Sequence, residues 1–186
     1  MKHLELTLLP LKAELVLLFL LFPAKLFQTS KEHPSKVFFS FSTFSHIFLG
    51  VYKGAYVLSD AEKPQIILVG SGTETSIAVE AAAKLTDLRV RVVSMPSWEL
   101  FREQSHEYQL SVFPDGVPVL AVEASSVIGW REYSHAVVGM STFGDSGPYK
   151  EVYAKFGITT DNTVKRAKQV VEFYAKNPVG SIVNRP

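Results

Sequence analysis

Several short constellations in this sequence hold residue types that could do chemistry. Gly70-Ser-Gly-Thr-Glu-Thr75 follows an apolar β-branched run and precedes an apolar helical pattern. Free N–H groups at such a helix start could bind a phosphate. The segment has two closely spaced glycines and lacks the third of G-x-G-x-x-G. It reads better as a glycine turn that fits a helix against a sheet. Glu123 ends an apolar run, Val117 to Val122, at a sheet edge where ligands gather in open α/β folds, so it could be an acid or base. His106 and His135 each stand alone, with no nucleophile or carboxylate partner nearby in sequence. Ser146 lies in Gly144-Asp-Ser-Gly147, which invites a hydrolase reading. A nucleophile elbow needs a second glycine two residues after the serine, where Pro148 stands. Ser146 is therefore expected to cap a helix with Pro148 in its first turn. Trp98, Phe101, Tyr108 and Trp130 read as core or interface aromatics. The five histidines show no metal-ligand spacing with carboxylates, and there is no cysteine to serve as nucleophile or zinc ligand.

The elements that would position these residues alternate between strand and helix. Strands are expected at Gly54 to Leu58, Gln65 to Val69, Arg89 to Val93, Val117 to Val122 and Ala136 to Met140, from their short β-branched runs. A helix is expected to run from the Gly70 turn through Lys84, burying Ile77, Val79, Ala81, Ala82 or their neighbours. Trp98 to Gln104 and Glu107 to Val112 read as short helical pieces, and Ala124 to Tyr133 as a short helix or loop. Val152, Tyr153 and Phe156 have helical spacing that Gly157 ends. A last helix starts at Thr160 or Asp161 and presents Val164, Ala167, Val170, Val171 and Tyr174 on one face. This alternation predicts a three-layer, Rossmann-like α/β domain with a mostly parallel sheet and right-handed crossovers.

Composition sets the outer limits. The chain has 186 residues and a net charge of +1, so no bulk field favours nucleic acid or acidic membranes. The average hides a split. Residues 1–50 hold five lysines, three glutamates, no arginine, eight of the 13 phenylalanines and only one of the 11 glycines. Leu15-Val-Leu-Leu-Phe-Leu-Leu-Phe22 is apolar but far short of the ~20 residues a membrane span needs. As a secretory signal it has a weak basic start and no small-residue cleavage site, so neither a signal nor an anchor is expected from residues 1–22. Phe38 to Phe48 alternates aromatic and hydroxyl residues in places; it could pair as a strand or form an aggregation-prone tract. The composition break predicts two parts: residues 1–50 as an irregular, unrelated extension and residues 51–186 as the folded domain.

The segment Val137-Val-Gly-Met-Ser-Thr-Phe-Gly-Asp-Ser-Gly-Pro148, followed by Glu151-Val-Tyr-Ala-Lys-Phe-Gly-Ile-Thr159, closely resembles the signature near the C-terminus of transketolases. Arg91-Val-Val-Ser-Met-Pro96 resembles that family's second core strand and its stop. Phe101, Gln104, Tyr108 and Ser111-Val-Phe-Pro114 follow its Phe…Gln…Tyr…Ser-Val-Leu-Pro pattern, and Val122-Glu-Ala124 and Trp130 match too. The resemblance runs from Lys53 to Tyr174 and is shared by dihydroxyacetone synthase, a close relative of transketolases.

The resemblance implies a parent enzyme that moves a two-carbon ketol unit between sugar phosphates of the pentose phosphate pathway, using thiamine diphosphate and Mg²⁺. It also implies that this domain supports a homodimer and packs against a middle domain in the cytoplasm. The segments of the family that bind the cofactor, a Gly-Asp-Gly…Asn motif and a glutamate with an aromatic pocket, are not found in this sequence. The family's sugar-phosphate arginine lies just upstream of the Gly54-Ala-Tyr-Val-Leu58 strand. Here that space holds Phe44-Ser-His-Ile-Phe-Leu-Gly50, without arginine, and His46 is no substitute. No catalytic, cofactor-binding or metal-binding residue is therefore expected in this chain. Glu123 is expected to be structural, at a domain junction. The expectation is a transketolase C-terminal domain, inactive by itself, joined near Val51 to unrelated sequence from a truncated or mis-spliced gene. The alternatives are a stand-alone module that docks onto a full-length transketolase or a ligand, a fragment of a dihydroxyacetone synthase, and a membrane-anchored or secreted domain if residues 1–22 act as an anchor or signal.

Overall fold

In a computed structural model, the described residues are 49–185. The apolar run at 15–22 and the aromatic tract at 38–48 lie outside them. Within the described residues, no helix is long and apolar enough to cross a membrane.

The elements alternate as the sequence predicts. Strand β1 (Tyr56–Ser59) is followed by β2 (Ile66–Gly70), helix α1 (Glu74–Lys84), β3 (Val90–Ser94), and the short helices α2 (Trp98–Arg102) and α3 (His106–Val112). Next come β4 (Val119–Ser126), a 3-10 turn (Gly129–Glu132), β5 (Ala136–Met140), α4 (Tyr149–Lys155) and α5 (Thr160–Tyr174). The five strands form one sheet in the order β1-β3-β2-β4-β5, with β1 antiparallel and the other pairings parallel.

Every residue of β2 is buried, as a central strand covered on both faces requires. Its side chains alternate between two cores. Ile66 and Leu68 join Leu120, Val122, Val138 and the faces of α1 and α5. Ile67 and Val69 join Val119, Ala121, Val93, Phe101, Phe113 and Trp130. Helix α5 buries Ala167 and Val170, with Val164, Val171 and Tyr174 partly covered beside them. Thr159 caps it, accepting from the Asn162 N–H at 3.2 Å. Gly157, at φ +69°, ends α4 in the left-handed conformation that favours glycine.

Two local expectations need correction. The stretch from Ala124 is not yet helix or loop, because β4 continues to Ser126. There it bulges: Val122 pairs with Val138 and Ser126 with Met140, so four residues advance against two. Gly139 makes the bulge possible, since a Cβ there would lie 2.9 Å from the Glu123 carbonyl oxygen. Ser146 does not cap α4. Pro148 occupies the cap position with no side-chain bond, while the Ser146 N–H donates to Asp145 Oδ1 at 2.8 Å. Ser146 stands two residues before the cap position, too early for its hydroxyl to accept from the first-turn N–H groups, and it stays exposed.

Candidate functional site

The chain leaves β2 toward β3 on one side and returns to β4 on the other. The crevice outside the carboxyl ends of β2 and β4 is therefore the topological switch point of the sheet, where ligands bind in open α/β folds. The acidic residue of the glycine turn and Glu123 both come there.

Glu123 lies in the β4 bulge and is half-buried. Its Oε2 accepts from the Ser71 hydroxyl at 2.7 Å and from the Trp130 indole N–H at 3.2 Å. Burial pushes its carboxyl above the ordinary range, and the neighbouring Glu74 charge adds to this, against the pull of the Ser71 and Trp130 bonds. Glu74, only 5% exposed, opens α1. Its Oε1 accepts from the Thr73 hydroxyl at 3.0 Å and from the Tyr153 hydroxyl of α4. Burial and that carboxylate hold the Tyr153 phenol above its usual range. The hydroxyl of Thr75, the next residue, is buried without a hydrogen-bond partner.

This arrangement is suited to holding a proton and locking elements together. It does not suit an anion. A phosphate at the start of α1 would meet Glu74 and Glu123 instead of open N–H groups. Gly70 has a packing reason: a Cβ there would lie 3.0 Å from the Thr75 nitrogen and 3.1 Å from the Glu74 carbonyl carbon. The glycine lets α1 sit hard against β2. Thiamine diphosphate with Mg²⁺ does not fit these residues either. The helix start bears the Glu74 carboxylate, which repels a diphosphate.

The other sequence candidates lie elsewhere. His135 spans backbone groups: its Nδ1 accepts from the Val119 N–H at 3.0 Å, and its Nε2 lies 2.9 Å from the Gly180 carbonyl oxygen. His106 meets the Asn184 side chain at 2.6 Å. Ser146 is exposed, in a loop that Asp145 ties to Lys155. Phe101 and Trp130 are buried in the core, and Trp98 and Tyr108 are half-buried against it. Trp98 stacks edge-on to Trp130 at 5.4 Å and Phe101 to Phe113 at 5.5 Å. The Tyr108 hydroxyl donates to the Ala55 carbonyl at 2.7 Å. A Cβ on Gly129 would strike the Trp98 ring at 2.3 Å, so that glycine admits the indole. The large exposed apolar residues are others: Phe143 is 99%, Ile128 81% and Tyr149 67% exposed.

The Glu74–Tyr153 pair was not foreseen. Its one sequence signal is an acidic residue in the first turn of a helix, which fits the helix dipole and needs no partner.

Residues 54–159 match the transketolase-like C-terminal domain family. The transketolase of Kluyveromyces lactis is 46% identical over 134 residues, covering 71% of this chain and 20% of that protein. The solved transketolase from Leishmania mexicana superposes with a TM-score of 0.70 at 45% identity, over 72% of this chain and 20% of that one. A split-gene transketolase, solved as an inactive β4 tetramer, has a TM-score of 0.51 at 25% identity, over 65% of this chain and 43% of that one. This chain thus spans about a fifth of the length of the first two. These proteins are transketolases, so the dihydroxyacetone synthase alternative is not favoured. A five-stranded sheet of this order, the signature between β5 and α5 and a match over most of the folded residues lead to one assignment: the chain belongs to the transketolase family, through its C-terminal domain.

Proposed function

We propose that this chain serves as the C-terminal portion of a transketolase. In that enzyme, thiamine diphosphate and Mg²⁺ supply the carbanion chemistry for ketol transfer between sugar phosphates. The contribution of this domain is structural: a rigid α/β body that packs against the middle domain and supports the dimer. The observation that carries this reading is the family match over residues 54–159 with the same fold. It is supported by the switch-point crevice, whose carboxylates are engaged with Ser71, Thr73, Trp130 and Tyr153 of the chain itself. Cytoplasmic residence, the pentose phosphate pathway and the absence of catalytic residues belong to the same proposal.

A second reading is favoured by the split-gene relative. That relative is a split-gene transketolase solved as an inactive β4 tetramer. On this reading the present chain is a separate module that docks to a transketolase polypeptide.

One experiment addresses both. The purified chain is assayed with xylulose 5-phosphate, ribose 5-phosphate, thiamine diphosphate and Mg²⁺, alone and mixed with a transketolase lacking its C-terminal domain. No transfer is expected from the chain alone. Restored dimerisation or activity in the mixture supports the docking module. Transfer by the chain alone, free of host enzyme, overturns the proposal.

A further inference from the structure

We propose that His135 is a pH-operated latch that holds the C-terminal segment, residues 178–185, across the amino edge of the sheet. After α5 the chain doubles back over the body of the domain. The Gly180 carbonyl meets His135 Nε2 at 2.9 Å. Ser181 and Asn184 both bond Asp115, the latter at 2.9 Å, and Asn184 also meets His106. The Arg185 guanidinium donates to the Arg131 carbonyl at 2.6 Å. Between these contacts, Ile182 and Val183 pack against the core cluster that contains Val112, Phe113, Val119 and Tyr133. The segment is a strap with apolar residues on its inner side.

One imidazole form fits. Nδ1 accepts the Val119 N–H at 3.0 Å, so it carries no hydrogen, and Nε2–H then donates to the Gly180 oxygen. A second proton turns Nδ1 into a donor facing a donor. The Val119 N–H loses its bond and the ring must turn away, which takes the anchor of Gly180 with it. Tyr174 and Arg185 face the ring from two other elements. Tyr174 of α5 lies against it at 5.2 Å between ring centroids, and Arg185 of the strap is the charged group that acts on it. Burial, chiefly, and then Arg185 hold its pKa below the ordinary 6.5, against the favourable Gly180 bond. A lowered folded-state value means the stabilisation is full above pH 6.5 and is lost as the pH falls through the folded value. Opening takes up one proton in that window, so the opening constant rises by up to about tenfold per pH unit. Release uncovers the apolar surface beneath Ile182 and Val183.

The test uses the full chain. Hydrogen-exchange protection of residues 181–185 is followed from pH 8 to pH 5, corrected for intrinsic exchange, with the amides of β2 as internal reference. The His135 ring is titrated by NMR in parallel. Protection of the strap should fall below pH 6.5 while β2 stays protected, with the midpoint of the His135 titration. In His135→Gln the strap should lose its pH dependence, whatever its level of protection. In His106→Gln the dependence should persist. Unchanged strap protection between pH 7.5 and 5 overturns the latch. So does a midpoint that departs from the His135 titration, a dependence that survives His135→Gln, or one that vanishes in His106→Gln. If His135→Gln does not fold, the coincidence of the two wild-type midpoints decides.

Discussion

The Ser71 hydroxyl donates to the Glu123 carboxylate at 2.7 Å, across 52 residues of chain. This bond closes the switch-point crevice from within, because it joins the turn after β2 to the bulge of β4. With Trp130 on the same oxygen and Glu74 nearby, it makes Glu123 a partly desolvated carboxylate that ionises reluctantly.

That reluctance has a pH signature. The folded-state value lies above the ordinary 4.5, so the contribution of Glu123 to stability is full below pH 4.5 and is lost as the pH rises through the folded value. Glu123→Gln retains an acceptor for Ser71 and Trp130 and removes the charge. The variant should melt at a higher temperature than the parent at pH 7.5, and the gap should shrink towards pH 4.5. Thermal melts across that range check this; a gap that does not change with pH would contradict it.

Tyr153→Phe should loosen α4. The helix has no buried residue of its own, and the Tyr153 hydroxyl is its bond to the buried Glu74. Removing a donor from a buried charged acceptor costs about 1–3 kcal/mol. Urea unfolding gives the value, and a double-mutant cycle with Glu74→Gln should show that the two losses are not additive.

The aromatic cluster separates core from surface. Phe101→Ala should cost about 3–5 kcal/mol, as large-to-small changes in a packed core do, because Phe101 is buried against Tyr108, Phe113 and Tyr133. Phe143→Ser should change stability by no more than about 0.5 kcal/mol, and should weaken self-association, because Phe143 is almost fully exposed. Chemical denaturation and sedimentation velocity read the two effects. Aggregation unaffected by Phe143→Ser would move the sticky surface elsewhere.

The boundary proposed near Val51 can be tested by deletion. Gly50 is buried against the domain, where a Cβ would lie 2.5 Å from Tyr56 Cβ. Removing residues 1–48 should leave the far-UV circular dichroism of the remainder and its cooperative melt intact. Loss of the cooperative transition would show that the upstream residues are part of the folded unit.

Much of the fold was written locally. The continuous apolar run of β2, the 3.6-residue face of α5, the Thr159 cap and Gly157 each state their structure within a few residues. The family could be read for the same reason, since its signature is a contiguous run of residues. What the sequence could not settle depended on which elements abut. The extension of β4 to Ser126 depends on pairing with β5, and the Val127 N–H next to it donates to the Met140 carbonyl at 3.2 Å. Whether Trp98 and Trp130 were core or interface waited on the turn that lays Gly129 beneath the indole. Glu74 finds Tyr153 79 residues away, and His135 finds Gly180 45 residues away. Periodicity and capping fix how each segment folds, because their interactions span a turn or a pleat. Burial of a carboxylate, the tautomer of a histidine and the partner of a tyrosine are set by contacts between distant segments. Only the packed tertiary structure brings those together.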